Sequence, residues 1–181
     1  MDKAVKPNII ASSSIVVAAP IEEVWKLLAE EFGEIGKWAS GVDHSEGMGE
    51  SIGGSDCSER ACTISATGFN DTKERILVYD EKKYLLQYEL FHGLPGFVHD
   101  AVNSWSLKQE GTATEVSAHT TMYAKGVLGF VLRGFMTSST RKALRYMCEE
   151  LQHYLEKGKP HPRKTAAMAK YQRKQAKVKA I

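Results

Sequence analysis

Two histidines flank an apolar loop in the stretch "FHGLPGFVHD", residues 91–100. Because histidine titrates near neutral pH, His92 and His99 are candidate acid–base groups beside a binding site. The alternative is that both are exposed loop residues without a chemical role. The pattern predicts no particular reaction, but it singles out this loop as a place where chemistry and access to a pocket could meet.

The loop between these histidines has the composition of a lid. Gly93 and Gly96 permit hinge dihedral angles, and Pro95 stiffens the tip. The apolar side chains of the loop are Leu94, Phe97 and Val98. We expect them to rest on a bound ligand or to close an empty mouth. In the alternative interpretation they only cap the core.

Charged side chains within predicted strands offer a second kind of site. An inward Glu74 paired with Arg60 would give a pocket a polar anchor for a ligand. Cross-strand charge pairing in solvent is the commoner explanation, and it is the one we favour from the sequence.

The inner face of a later strand supplies candidates for a pocket wall. Asn103, Trp105 and Leu107 share one face, and their apolar bulk places that face inside. Trp105 is therefore a candidate wall residue, Asn103 a polar handle, and Tyr88 a second inward hydroxyl. Further pocket or gate candidates on the predicted helices are Trp38 and Phe135. For all of these residues, core packing is the simpler explanation.

Several catalytic and cofactor motifs are missing from the sequence. It contains no nucleophile–base pair, phosphate-binding loop or dinucleotide fingerprint, and its six histidines lack HxH or HExxH spacing. We therefore expect no metal and no cofactor. Cys57, Cys62 and Cys148 have no CxxC spacing, and we interpret them as reduced thiols of a cytoplasmic protein.

Length and composition predict one globular domain with an appendage. The 181 residues are 43% hydrophobic and 25% charged, as in ordinary soluble proteins. No apolar run approaches the roughly 18 residues needed to span a bilayer. The N-terminal stretch "NIIASSSIVVAAP" is interrupted by three serines, so we do not interpret it as a secretory signal.

Hydrophobic periodicity predicts the elements that position these residues. Residues 9–19 alternate as a strand, and Pro20 starts a helix whose apolar stripe includes Trp25. A short second helix carries Trp38. Further strands are predicted at about 57–65, 73–80, 84–92, 101–109 and 113–123, with a short irregular strand between Gly41 and Gly54. Their connections, among them "TGFND", are too short for crossover helices, so the sheet is antiparallel.

A long amphipathic helix is predicted from Val127 to about Lys157, ended by Gly158 and Pro160. Its predicted apolar stripe includes Leu128, Val131, Leu132, Phe135, Leu144, Met147 and Leu151. One helix covers a curved sheet only in part, which predicts a cavity between them. The fold class is α+β, with a curved antiparallel sheet wrapped around the long C-terminal helix and two short helices after strand 1.

This order of elements resembles the START-like superfamily, also called the Bet v 1-like or polyketide cyclase/dehydrase and lipid-transport superfamily, with its helix-grip fold. The similar stretches are "IVVAAPIEEVWKLLAEEFGEIGKW", "ERILVYDEKKYLLQYEL", "GLPGF", "NSWSLKQEGTATEV" and "KGVLGFVLRGFMTSSTRKALRYMCEELQHYLEKG". The resemblance covers about residues 9–158, after an N-terminal extension at 1–8. Plant hormone receptors of this superfamily have a Gly-Leu-Pro gate loop. The stretch "HGLPGF" is similar to that loop, but it lies one strand connection later in the chain.

The resemblance implies an internal pocket for a lipid, sterol or polyketide-like molecule, held for sequestration or transport. The alternative is a polyketide cyclase or dehydratase that uses the same pocket, with Glu74, Tyr88, His92 or His99 moving protons. A third interpretation is an adaptor that works through its tail.

The C-terminal tail, residues 159–181, differs in charge from the rest of the chain. From Lys157 onward there are nine basic and no acidic residues, whereas the preceding 156 residues carry a net charge of −7. Thr165–Lys179 is rich in good helix formers. Charge predicts weak contact with an anionic membrane, and nucleic acid is not an expected partner. The alternative is a disordered solubilising tail.

Overall fold

A computed structural model describes residues 6–64 and 71–179. The first five residues of the predicted extension and the predicted "TGFND" turn as far as Asn70 lie outside the described residues. Seven strands form one antiparallel sheet in the order β1-β7-β6-β5-β4-β3-β2. The strands are β1 (Ile9–Val17), β2 (His44–Met48), β3 (Glu59–Thr63), β4 (Asp71–Asp80), β5 (Leu85–His92), β6 (Val98–Glu110) and β7 (Ala113–Ala124).

The predicted antiparallel sheet is therefore confirmed, with strand ends that differ by a few residues from the predicted ones. Alternation is reflected in the burial of the inward faces. Ile9, Ala11 and Val17 on β1 and Trp105 and Leu107 on β6 are buried, whereas Ser13, Ile15 and Asn103 on the same faces are half-buried. A bulge interrupts the pairing of β6 with β7 between His99 and Val102, which increases the local twist of the sheet.

Three short helical pieces follow β1 and cover one side of the concave face. Helix α1 (Ile21–Trp25) has Pro20 as its N-cap and continues into a π-helical turn at Lys26–Glu30. A 3₁₀ helix at Phe32–Lys37 completes the segment. The segment buries Val24 and Trp25 of α1 and Leu27 and Leu28 of the π-helical turn.

The long helix α2 (Gly126–Lys157) ends at Gly158, whose φ of 64° is left-handed and whose N–H donates to the carbonyl of Tyr154. Its second half packs on the sheet through Leu144, Cys148 and Leu151. The predicted stripe is wrong for the first half, because Leu128, Val131 and Phe135 lie on the outer side and are mostly exposed.

The tail forms helix α3 (Pro162–Lys179), against the alternative of a disordered tail. Its first turn is tied to the body of the protein. Arg163 donates through Nε to Glu150 at 2.8 Å and through a terminal nitrogen to Glu149 at 2.7 Å. The buried Lys164 ammonium donates to the carbonyl of Val42 at 2.7 Å. Within the described ranges, no helix is long and apolar enough to cross a membrane.

Candidate functional site

An internal cavity lies between the short helical segment and the concave face of the sheet. Its lining is formed by Leu27, Leu28, Glu31, Ile35, Trp38, Arg60, Leu86, Tyr88 and Trp105. The volume that the centre of a water-sized sphere can occupy in it is about 10 Å³. This is near the minimum needed to hold one water molecule. In this conformation the cavity has no room for a lipid-sized molecule.

The polar side of this cavity is built around a buried ion pair. Arg60 on β3 and Glu74 on β4 are directly opposite each other, and Nε of Arg60 donates to the Glu74 carboxylate at 2.5 Å. The two residues are 3% and 8% exposed. The interpretation of a solvent-exposed pair is therefore wrong. The pairing is cross-strand, but Glu74 shares its strand face with the buried Thr72 and Ile76, so the pair faces the core.

Aromatic and carbonyl groups surround the Arg60 guanidinium. It donates to the carbonyl of Phe32 at 2.7 Å, and its central carbon lies 3.9 Å from the centre of the Phe32 ring. The Tyr88 ring is 4.8 Å away on another side. Planar guanidinium groups stack well on such rings, so the arginine is held in one orientation.

Electrostatics keep this cluster in a defined protonation state. Burial alone would lower the pKa of Arg60, but the Glu74 carboxylate raises it above its usual value. Burial, and then the charge of Glu74, raise the pKa of Tyr88 to about 12. At neutral pH the arginine is charged and the tyrosine is a neutral hydroxyl, so Tyr88 acts as a hydrogen-bonding group rather than as a proton carrier.

The predicted wall residues Trp38, Tyr88 and Trp105 all line the cavity. The indole N–H of Trp105 donates to the Tyr88 hydroxyl at 3.3 Å. Among the described residues, the buried indole N–H of Trp38 has no hydrogen-bond partner. An unpaired buried donor is costly, which makes it a ready polar contact for a water or a ligand.

The concave face is sealed at one end and has a less covered stretch towards the other, just before the buried Ala101 and Val98. Leu86 and Trp105 are 1% and 2% exposed, whereas Leu90 and Asn103, further along the same strand faces, are only half-buried. Asn103 accepts a hydrogen bond from the Thr120 hydroxyl at 2.5 Å. The half-buried residues lie towards the loop at 93–97 and the start of α2.

The loop at 93–97 packs over this less covered end. Leu94 and Phe97 contact a second apolar cluster that includes Val98, Ala101 and Met136. The backbone N–H of Lys125 donates to the carbonyl of Phe97 at 2.7 Å, which joins the loop to the start of α2. In this conformation the loop closes the core, as the capping alternative expects.

The two glycines of the loop differ in their freedom. Gly93 has a φ of 84°, and a Cβ there would collide with the backbone carbonyl of Asp71. Gly96 has open space around it. Gly93 therefore allows a close approach of two strands, and only Gly96 is unconstrained by its surroundings.

The remaining candidates lie outside the cavity. His92, His99 and Pro95 line an open surface crevice around the loop, and both histidines are exposed. Phe135, expected in the pocket or its gate, is 72% exposed on the outer side of α2. The structure does not bring His92 or His99 to Glu74 and Tyr88.

The thiols are unsuited to nucleophilic or metal chemistry. All three are free and buried. Burial raises the pKa of Cys57 to about 11, that of Cys62 to about 12 and that of Cys148 to about 11, so the reactive thiolates are scarce at neutral pH. In the described part of the chain, no group of three or more His, Cys, Asp or Glu side chains could hold a metal ion.

Comparison with known families accounts for this arrangement. The profile of the family described as polyketide cyclase / dehydrase and lipid transport matches residues 8–156. The chain belongs to this family. No curated protein matches the sequence at a significant level.

Solved structures with the same fold come from bacteria and plants. A START superfamily protein from Mycobacterium smegmatis superposes with a TM-score of 0.65 at 13% identity, over 81% of this chain and 97% of that one. The protein XoxI from Bacillus cereus gives 0.61 at 18%, over 82% and 96%. Norcoclaurine synthase from Thalictrum flavum, solved with dopamine and hydroxybenzaldehyde, gives 0.61 at 16%, over 83% and 87%. The family and these neighbours identify a ligand-binding helix-grip fold.

Sequence reasoning missed Leu27 and Leu28 as lining residues of the cavity and Phe32 as a partner of the Arg60 guanidinium. The sequence signal for Phe32 was weak. It binds Arg60 through its backbone carbonyl and its ring face, and the residue type alone does not predict either contact. Leu27 and Leu28 follow Val24 at i+3 and i+4, so ordinary helical spacing places both on the buried side. That spacing is the signal that could have found them.

Proposed function

We propose that residues 9–158 bind a hydrophobic small molecule, such as a lipid, sterol or polyketide-like compound, for sequestration or transport. The observation that carries this proposal is the incomplete cover of the concave face. Leu90 and Asn103 are half-buried beneath a loop and a helix half, where a finished core would bury them. An apolar ligand would complete that burial.

The polar groups at hand suit a ligand with one polar end. The Asn103 oxygen accepts from Thr120, which leaves its amide hydrogens as donors to a ligand. Deeper in, the Tyr88 hydroxyl and the unpaired indole N–H of Trp38 are the next polar contacts. A few placed polar groups in an apolar wall are the usual composition of small-molecule sites.

Binding requires the cavity to expand from its present volume of about 10 Å³. Two parts of its surroundings are suited to movement. The wall at Lys26–Lys37 consists of π and 3₁₀ turns, which are common at functional hinges. The loop at 93–97 covers the other end, and we propose that it is the lid, mobile when the site is empty and ordered when it is filled.

The first experiment is native mass spectrometry of the purified protein, to detect a co-purifying lipid or pigment, with titration of an apolar fluorescent probe. We expect micromolar binding of the probe. A Leu90→Trp variant should weaken it at least about tenfold, or 1.4 kcal/mol, by filling the site. Leu77→Trp is the matched control, because Leu77 is 48% exposed on the outer face of β4.

Two outcomes contradict the proposal. One is a wild-type protein that carries no ligand and binds no probe at saturation. The other is a Leu90→Trp variant, with an unchanged far-ultraviolet circular dichroism spectrum, that binds the probe as the wild type does.

The alternative function, a cyclase or dehydratase, draws support from the convergence of Glu74 and Tyr88 within one cluster. The raised pKa of Tyr88, about 12, weakens it, since efficient acid–base groups have a pKa near the working pH. A substrate-like ligand that the purified protein converts, and that a Tyr88→Phe variant binds without converting, would favour the enzyme over the carrier.

The basic tail adds a weaker proposal of electrostatic contact with anionic lipid. Within α3, Arg163 and Lys164 are occupied by Glu149, Glu150 and Val42. The cations exposed to solvent are Lys170, Arg173, Lys174 and Lys177. Each exposed cation near an anionic membrane contributes about 1 kcal/mol at most, and salt screens it.

A further inference from the structure

The first half of α2 carries apolar side chains on the side that faces away from the sheet. This apolar face consists of Val127, Leu128, Phe130, Val131 and Phe135, which are 82%, 53%, 73%, 68% and 72% exposed. Five large apolar side chains on three successive turns form a continuous surface, whereas scattered single ones need no explanation.

The apolar face is separate from the face that packs on the sheet. Gly129 is buried against Ala124, and Met136 contacts the second apolar cluster. At about 100° per residue, these two residues point to the side opposite Val131. Gly129 and Met136 therefore make the contacts with the body of the protein, and the apolar face is left exposed.

Cations continue the outer side of the helix beyond the apolar face. Arg141, Lys142 and Arg145 are exposed and, at about 100° per residue, project on the same side as Val127 and Val131. From Lys125 to Cys148, both included, there are five basic and no acidic residues. Glu149 follows and pairs with Arg145 at 3.7 Å and with Arg163 at 2.7 Å, which leaves Arg141 and Lys142 as the main cations of this side.

The apolar side chains and the neighbouring cations together indicate which kind of partner covers the apolar face. A second copy of the chain, related by a two-fold axis, would bring two such cationic segments together, and like charges oppose that contact. An anionic lipid surface attracts the cations and accepts the aromatic side chains at the boundary between headgroups and acyl chains.

We propose that the apolar face docks the protein on anionic membranes. Phe130 and Phe135 insert at the boundary between headgroups and acyl chains, and Arg141, Lys142 and Arg145 lie at the level of the lipid phosphates. The start of α2 is hydrogen-bonded to the loop at 93–97 through Lys125 and Phe97, so docking places the less covered end of the site beside the bilayer. The docking itself does not depend on a bound ligand.

The test is flotation of the full-length protein with vesicles of phosphatidylcholine, with and without phosphatidylserine, in the absence of added ligand. We expect binding to the anionic vesicles only. A Phe130→Ser/Phe135→Ser variant should lose at least about tenfold in partitioning, because it removes the inserted area. Val16→Ser/Leu77→Ser is the matched control, since both side chains are 48% exposed elsewhere, and it should bind as the wild type does.

A second variant separates this face from the tail. Lys170→Gln/Arg173→Gln/Lys174→Gln/Lys177→Gln should weaken binding less than the double phenylalanine variant does. If the tail variant abolishes binding while Phe130→Ser/Phe135→Ser binds normally, the tail is the anchor and the proposal is wrong. It is also wrong if the wild type binds no vesicles.

Two further measurements complete the test: the depth to which the apolar face inserts into the bilayer, and the oligomeric state of the protein. In a Phe135→Trp variant, lipids brominated near the top of the acyl chain should quench fluorescence more than they do in Leu77→Trp. Equal quenching in the two variants contradicts insertion. If sedimentation equilibrium shows a dimer that Phe130→Ser/Phe135→Ser dissociates, a second copy covers the face instead of lipid.

Discussion

The two ends of the helix-grip domain differ in how completely they are packed. At the closed end, the second half of α2 (residues 141–157) buries Leu144 and Leu151, which are 4% and 0% exposed. At the open end, the first half (residues 126–140) leaves Val131 and Phe135 68% and 72% exposed. Both halves belong to one uninterrupted helix.

Stabilising contacts and the proposed binding surfaces therefore lie on different halves of this helix. The closed end also contains the buried Glu150, which accepts from the Ser40 backbone at 2.8 Å, the Ser40 hydroxyl at 2.6 Å and Arg163 at 2.8 Å. The open end has the loop at 93–97, the half-buried inner face and the apolar face. Stabilising contacts are concentrated around Glu150, and the binding surfaces that we propose lie at the less stable end.

The largest effect is expected at Glu150. Glu150→Ala should lower the free energy of unfolding by roughly 3–5 kcal/mol, because it leaves the Ser40 N–H and hydroxyl without an acceptor and removes one of the two carboxylates that bind Arg163. Urea unfolding measures this. Arg133→Ala, at an exposed position of the open end, is the control and should change stability by less than about 0.5 kcal/mol. A cost below about 1 kcal/mol for Glu150→Ala would contradict a tightly paired closed end.

Truncating one apolar side chain at each end compares the halves of α2 directly. Leu151→Ala should cost about 2–5 kcal/mol, since it opens a cavity in the core. Phe135→Ala should cost less than about 0.5 kcal/mol. Similar costs at the two positions, measured by thermal and urea unfolding, would remove the distinction between the ends.

The loop glycines give a smaller contrast within the open end. Gly93→Ala should destabilise by more than about 1 kcal/mol, because alanine is strained at positive φ and collides with Asp71. Gly96→Ala should be nearly neutral for stability and should slow the exchange of a bound probe. Hydrogen exchange of the loop with and without probe is the second measurement, and equal protection in both states argues against a lid.

The smallest effect concerns pH and the docking of α3. Burial, and then the charge of Arg163, lower the pKa of His161 below its usual 6.5, and its Nδ1 accepts the backbone N–H of Arg163 at 3.1 Å. The other titratable neighbours of His161 are Glu149, Glu150 and His153. His161 binds a proton more readily when α3 is detached from the body of the protein. Acidification below pH 6.5 therefore weakens the contact between α3 and the body.

Hydrogen exchange of residues 162–177, corrected for intrinsic rates, should show this loss of protection on acidification. A His161→Gln variant should lose most of the pH dependence. If the wild type and the variant respond equally to acid, another group controls the docking.

Local pattern was sufficient to predict the strands, their antiparallel order and the end of α2. Alternation of polar and apolar residues and the turn-forming connections are short-range properties, so the sequence contains them directly. The inward positions of Tyr88 and Trp105 followed from the same alternation. The expectation about Gly93 as a free hinge could not be checked in this way, because the Asp71 carbonyl that constrains it comes from another strand.

The sequence by itself determined which residues are apolar, which are charged and how each element repeats. Only the tertiary structure decided that Arg60 and Glu74 pair inside the sheet instead of in solvent, and that Phe135 faces outward. The physical reason is that burial depends on what packs across from a side chain. The helical segment that places Phe32 over Arg60 and the orientation of α2 on the sheet set that partner, and both arise from contacts between residues far apart in the chain.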